Sequence, residues 1–427
     1  MPAVGARACG GRRRGYLLGA LLRMTSRAVD QPHPGRGAPG TARRVDLTSA
    51  LRRICLGAAL GLAGCQAGGL GDGLESAKSA PAALASSSYG SGPVRITLLL
   101  PTDSAMRTRA ADIADGAKLA LDDLGAGQLG LDIEAFASDS GQAAAKVQAA
   151  GAAGSKLIVG PASNGDVRQI VAGTGSAARP PILSLVADSP AGGPGVWPLY
   201  GDAVDSAIEG AGAAVAAKQK NIAVVHETSF SADDLKRLQD GIRLKGGTTV
   251  GLVPYPAGGA NLKAAFARAK PLFAKANAVV LLGGGETIGQ VIDILATGDF
   301  GETIATAVAT SLLPEAMYKR PTAQGLIVAT PSTTDLRVIA TRFQAKYGRA
   351  PSYDAAIGYD AIAIAAGLVR ASGPEAITAR NLTSAQGFRA ATGLFRFRAD
   401  GRIERRMIVH RIVDGGLKVI QEEGEGF

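Results

Sequence analysis

Val94-Arg-Ile-Thr-Leu-Leu-Leu100, Lys156-Leu-Ile-Val159 and Pro181-Ile-Leu-Ser-Leu185 are short β-branched and leucine-rich runs closed by turn residues. Alanine-rich stretches lie between them. Over 106–124, Ile113, Ala117, Ala120, Leu121 and Leu124 recur at helical spacing. Leu131 to Ala137 reads as another strand, Gln142 to Ala152 as another helix, and a third helix opens near Gly165. Strand–helix alternation with short loops specifies an α/β class: a parallel sheet covered by helices on both faces.

Working outward, the alternation restarts after Pro198–Asp202. Helices at 205–218, 232–244, 262–275 and 286–296 alternate with strands at 221–225, 248–253, 278–282, 303–309 and 326–330. Two helices, 336–347 and 354–370, follow. The final stretch is strand-like: Leu394-Phe-Arg-Phe397, an Asp400-Gly401 turn, 407–412 and 417–420. Two Rossmann-like lobes are therefore expected, with ligands held where strand carboxyl ends meet a crevice.

The chain before residue 93 reads differently. The 427 residues carry a formal charge of +10, yet residues 1–64 alone, with eleven arginines against Asp30 and Asp46, account for +9. The remainder is nearly neutral, which removes the case for a nucleic-acid partner. Arg43, Arg44, Arg52 and Arg53 precede an apolar run, residues 54–64, that ends at Cys65. A run this short cannot span a ~30 Å hydrocarbon core as a helix, but suits a signal-peptide core. Leu62-Ala63-Gly64-Cys65 matches the bacterial lipobox, which makes Cys65 the expected lipidation site and residues 1–64 a removable leader. The Arg/Gly/Pro-rich residues 1–42 point to a start nearer the apolar run, at Met24 or Val45. Residues 65–92, rich in Ser, Ala and Gly, read as a flexible tether. Gln66 after the cysteine favours sorting to the outer membrane. With Cys9 and Cys55 in the leader, no disulfide or cysteine metal site is expected in the folded part. No stretch after residue 93 has 18 uninterrupted apolar residues, so no transmembrane helix is expected.

Catalytic chemistry is thinly represented. His226 ends a strand beside Glu227 and reads first as a hydrogen-bonded loop residue; His410 reads as structural. There is no Gly-x-Ser-x-Gly elbow, P-loop or His-Glu-x-x-His, and no cofactor or metal is implied. Gly283-Gly284-Gly285 precedes a helix, which would expose N–H groups to a polar ligand, with Glu286 placed to meet a cationic group. Short polar residues follow the other strands: Thr102-Asp103-Ser104, Ala162-Ser163-Asn164, Ala187-Asp188-Ser189, Thr228-Ser229-Phe230 and Thr310-Ser311. Donors and acceptors without a nucleophile–base pair suit binding rather than catalysis.

Lys156-Leu-Ile-Val-Gly-Pro-Ala-Ser163, Pro181-Ile-Leu-Ser184, Tyr347-Gly-Arg-Ala-Pro-Ser-Tyr353, Gly358-Tyr-Asp-Ala361 and Gly393-Leu-Phe-Arg-Phe-Arg-Ala-Asp-Gly401 resemble the type I periplasmic binding proteins, leucine-binding group. The resemblance covers about 93–422. Leu183 to Pro190 with Gly195-Val-Trp-Pro-Leu199 looks closest to alphaproteobacterial lipoproteins labelled substrate-binding protein or penicillin-binding protein activator. It implies a type I periplasmic binding domain over 93–425 with a three-crossover hinge. One lobe would hold about 93–200 and 332–388, the other about 201–331 and 389–425. It also implies a ligand site drawn from Ser104, Ser163, Ser184, Ala187, Asp188, Phe230, Glu286 and Thr310. Ser163 would meet a ligand carboxylate and Phe230 would stand where amino-acid binders carry an aromatic. Val186-Ala187-Asp188 departs from the family's small and hydroxyl residues, and Asp188 would repel a carboxylate. Two functions follow as expectations. One is a periplasmic lipoprotein that hands an amino acid or similar small molecule to an ABC transporter permease. The other is a regulatory lipoprotein that contacts a cell-wall synthase. A hydrolase using His226 and Glu227 stands a distant third.

Overall fold

A computed structural model describes residues 84–125, 127–187, 193–297, 304–333 and 335–427. The leader, Cys65, most of the tether and Asp188 lie outside the described residues.

The first sheet contains β1 (Ser87–Tyr89), β2 (Val94–Pro101), β3 (Leu129–Phe136), β4 (Ser155–Val159), β5 (Ile182–Ser184) and β6 (Val196–Pro198), in the order β1-β3-β2-β4-β5-β6. All neighbours are parallel except β1, which runs antiparallel along β3. Helices α1 (Arg107–Ala120), α2 (Ala143–Ala152) and α3 (Asn164–Gly173) connect them. β2 explains why the sheet is covered twice: Leu98 and Leu100 enter one buried cluster and Leu99 the other. A strand alternates its side chains, so a continuous apolar run must be buried on both faces. β1 shortens the expected tether, because Ser88 and Tyr89 bond Asp132 and Asp122 and close the sheet's edge.

The second lobe follows the same logic. Helices α4 (Ala203–Ala216), α5 (Ala232–Leu244), α6 (Leu262–Phe273) and α7 (Gly285–Ala296) alternate with β7 (Asn221–Glu227), β8 (Thr248–Tyr255), β9 (Ala278–Leu282), β10 (Thr306–Ala309) and β11 (Ile327–Pro331). In β7, Ile222 and Val224 face one cluster while Ala223 and Val225 face the other. The chain then returns to the first lobe as α8 (Arg337–Tyr347), α9 (Tyr353–Ser372) and the short α10 (Ala379–Leu382).

α9 has the length and mean hydropathy (1.3) of a membrane span. Its apolar face instead forms the first lobe's core against α1. Gly116 and Gly358 let the two helices touch backbone to backbone. A β-carbon on either would overlap the carbonyl oxygen of Ala355 or Ile113.

A three-stranded antiparallel sheet, β12 (Phe388–Ala390), β13 (Gly393–Phe397) and β14 (Ile403–Arg405), comes next. Phe395, Phe397 and Ile403 belong to the first lobe's core, where Phe397 lies 5.9 Å from Trp197. The third crossing therefore falls at Arg405–Met407, not at residue 389 as the sequence suggests. The apolar side chains of 395–403 find their partners on the first lobe. β15 (Met407–Val413) and β16 (Gly416–Gln421) then complete the second sheet, ordered β16-β15-β11-β10-β9-β7-β8.

The crossings fix how the lobes meet. The first leaves the carboxyl end of β6 and enters α4, whose amino end lies at the carboxyl edge of the second sheet. The second leaves the carboxyl end of β11. The third enters β15 at Met407, which pairs with Pro331 at that same edge. Arg405 ties the first and third crossings by donating to the Leu199 carbonyl at 2.6 Å. All three connections join carboxyl edge to carboxyl edge, so the two sets of strand-end loops face one crevice.

Candidate binding cleft

The first lobe's side of the crevice is built from the loops after β2, β3, β4 and β5. Gly160, at φ +113°, turns the β4 loop; a β-carbon there would overlap the Leu99 carbonyl oxygen, so no larger residue fits. Ser163 then caps α3, accepting from Gly165 N at 3.0 Å and Asp166 N at 3.3 Å. Its hydroxyl proton goes to Asp139 Oδ1 at 2.6 Å. Asp139 is itself held by its own N–H, 3.1 Å from the buried Asp166 carboxylate. Asp103 accepts from Ser138 N at 3.1 Å. This loop set thus concentrates three carboxylates around Ser163. Burial raises the Asp166 carboxyl above its usual range, with the negative charges of Asp139 and Asp103 adding to the effect. Hydrogen bonding from Ser138 holds Asp103 below it.

Behind these loops Arg109 donates to the Leu185 carbonyl at 2.8 Å and pairs with Asp354 at 3.2 Å, under the Tyr200 ring. Tyr200 also bonds Asp354, and burial drives its phenol pKa far up. This network anchors the β5 loop and the first crossing to α9.

The second lobe's side is leaner. Phe230 is half-buried, packed on the second core after the β7 turn, with its N–H 3.2 Å from the Glu227 carbonyl. His226 is buried, its Nδ1 3.0 Å from the Glu227 carbonyl. Ser229 bonds the Glu227 carboxylate at 2.9 Å. Gly284 precedes α7 without a side-chain cap, and Glu286 stands exposed in its first turn. Leu312 is exposed beside Gly284.

The expected site residues thus separate. Ser104 and Ala187 are exposed at the first lobe's strand ends, Ser163 is half-buried among carboxylates, and Glu286 is exposed at α7. Ser184 and Thr310 are turned inward. Ser184 is buried and donates to the Trp197 carbonyl at 3.3 Å, holding β5 to β6. Thr310, also buried, links the β9 and β10 loops through Gly283 O at 3.4 Å and Leu312 N at 3.3 Å. Sequence reasoning passed over Asp139, Asp166 and Arg109. The Asp139-Ser140-Gly141 turn after β3 was the available signal for the first. Asp166 and Arg109 lie inside helices, where only folding shows what they face.

A cavity of about 550 Å³ lies elsewhere, on the hinge's flank between α4, α5 and residues 398–406. Its wall is ionic, with Arg237 3.0 Å from Asp205 and bonded to Asp202. Among the described residues no cluster of His, Cys, Asp and Glu is arranged to hold a metal ion.

No curated protein sequence matches the chain significantly. Solved structures do match it in fold. A Rhodospirillum rubrum protein assigned to a branched-chain amino acid ABC transporter aligns with TM-score 0.63 and 19% identity, over 77% of this chain and 99% of that one. A solute-binding ABC transporter protein of R. palustris, in complex with benzoate, aligns with TM-score 0.53 and 16% identity over 77% and 96%. A branched-chain amino acid transporter substrate-binding protein of Streptococcus pneumoniae, in complex with isoleucine, gives 0.52 and 18% over 77% and 99%. The family described as periplasmic binding protein matches residues 93–416, which run from β2 through β15 and contain all three crossings and the cleft loops. The chain belongs to the periplasmic binding protein family, in its type I, leucine-binding group.

Proposed function

We propose that this protein is the extracytoplasmic solute receptor of an ABC-type uptake system, held to a membrane through lipidated Cys65 and serving a small amino-acid-like metabolite. The observation that carries this reading is the arrangement of two polar strand-end loop sets across a three-crossing hinge. Hinge closure of such lobes buries a ligand between them. The carboxylates of Asp103 and Asp139 favour a ligand that presents an ammonium or another cationic group to the first lobe. The uncapped amino end of α7 offers free N–H groups to a polar part of the ligand, with Glu286 beside them to meet a second cationic group.

One observation favours a second reading. Ser163, Ser184 and Thr310 spend their hydroxyls on the protein itself, which suits a regulatory lipoprotein that contacts a cell-wall synthase. A thermal-shift screen against amino acids and small peptidoglycan fragments separates the two. Binding at ~100 times Kd stabilises a fold by about 2.7 kcal/mol, which is readily detected. A hit on an amino acid that is lost in Asp139→Asn supports the receptor. No shift with any small molecule rejects it, and co-purification with a synthase would then support the regulator.

A further inference from the structure

Beyond the three crossings, the lobes are joined a fourth time. After β16, in the second sheet, residues 422–427 return to the first lobe's small sheet. The Glu423 carboxylate, 9% exposed, accepts from the Leu394 N–H of β13 and lies 3.8 Å from Arg389. Arg389 also lies 3.6 Å from Asp335, in the second crossing. The Gly426 carbonyl accepts from Arg406 Nε at 2.8 Å, in the third crossing. The Phe427 ring lies 4.5 Å from the Arg396 guanidinium and 4.9 Å from that of Arg406, and packs over Gly387. Arg406 reaches on to Glu209 of α4 at 3.5 Å.

We infer that residues 422–427 are a strap that restrains rotation of the two lobes about the hinge. A hinge turns by changing backbone angles in a few connecting residues. A strap anchored by β16 pairing on one lobe and by Glu423 and Phe427 on the other must move with that rotation or let go. Its contacts reach two of the three crossings, Arg406 directly and Asp335 through Arg389. Among the described residues, the hydrogen bonds of loops 102–106 and 160–164 stay within the first lobe, and those of 226–230 and 283–287 stay within the second. The polar contacts that do tie crossings and lobes together, Arg405 to the Leu199 carbonyl and those of the strap, lie on the hinge side.

The test is a distance distribution by pulsed electron spin resonance on the full chain without added ligand. Cys9, Cys55 and Cys65 are replaced by serine, and spin labels are placed at Thr108→Cys on α1 and Gln290→Cys on α7, both exposed. The parent gives a narrow distribution, and Glu423→Ala with Phe427→Ala at least doubles its width. Because that pair of changes could unfold the protein, Arg389→Ala is measured alongside; its side chain is 53% exposed, and it broadens the distribution to a smaller degree. Equal widths in the parent and in a folded strap variant overturn the inference. So does a parent distribution already as broad as the variants'.

Discussion

The two lobes share a topology and differ at the mouth. The first lobe's loops are locked by their own hydrogen bonds, with Ser163, Asp139 and Asp166 forming one chain of donors and acceptors. The second lobe's loops are held by separate local bonds, Ser229 to Glu227 and Thr310 to the Gly283 carbonyl, beside an uncapped helix with Glu286 and Leu312 exposed. The cores differ in the same sense. Gly116 and Gly358 in the first lobe meet backbone, whereas Gly210 in the second meets the side chain of Val308. The first mouth is thus braced by linked carboxylates and backbone contacts, while the second presents more exposed side chain to the cleft.

The largest test of this contrast is steric. Gly358→Ala should cost about 4 kcal/mol or more, because a helix backbone cannot step aside for a methyl group. Gly210→Ala should cost about 1–2 kcal/mol, since a valine rotamer yields more readily. Urea unfolding followed by fluorescence of Trp197, the chain's only tryptophan and a first-lobe residue, reports the former directly. Similar costs for the two changes would break the comparison.

Next in size is the pH response of Asp360, fully buried in α9. It accepts from Ala391 N at 2.7 Å, Thr392 N at 2.9 Å and Thr392 Oγ1 at 2.6 Å. Burial pushes its carboxyl from 3.8 up to about 6 despite those bonds. The folded state then binds the proton more tightly than the unfolded chain. Its contribution is fully present below about pH 4 and is lost as pH rises toward 6, on the order of 3 kcal/mol. Denaturant midpoints between pH 4 and 6.5 should therefore fall more steeply for the parent than for Asp360→Asn. Parallel pH profiles would refute this assignment.

Smaller effects sharpen the mouths themselves. Ser163→Ala removes a helix cap and the Asp139 bond together, so a loss of about 1–2 kcal/mol is expected by thermal unfolding. Glu286→Gln should change stability by less than about 0.5 kcal/mol while altering affinity for a charged ligand, read by titration calorimetry. A stability loss there as large as at Ser163 would mean that the second mouth is as locked as the first.

Much of the frame was legible. The runs at 94–100, 156–159, 221–225 and 278–282 are continuous and β-branched because both faces of a parallel sheet are covered, and every one became a central strand. Short edge strands were missed. β1 and β6 have three residues each, too few to display a period. The lobe that takes the small sheet is not legible, because an apolar hairpin announces burial and not its partner. In the site, loop positions were readable from strand ends, but the direction of a hydroxyl was not. Ser163, Ser184 and Thr310 look alike in sequence and bond to a carboxylate, a neighbouring strand and an adjacent loop.

The sequence by itself determined the α/β alternation, the count of two lobes and the near-neutral charge of the folded part, because periodicity and composition are local properties. Only the tertiary structure decided which carboxylates gather at Ser163, which glycines let α1 and α9 touch, and that residues 422–427 cross back over the hinge. Those depend on contacts between residues far apart in the chain, whose pairing no local pattern encodes.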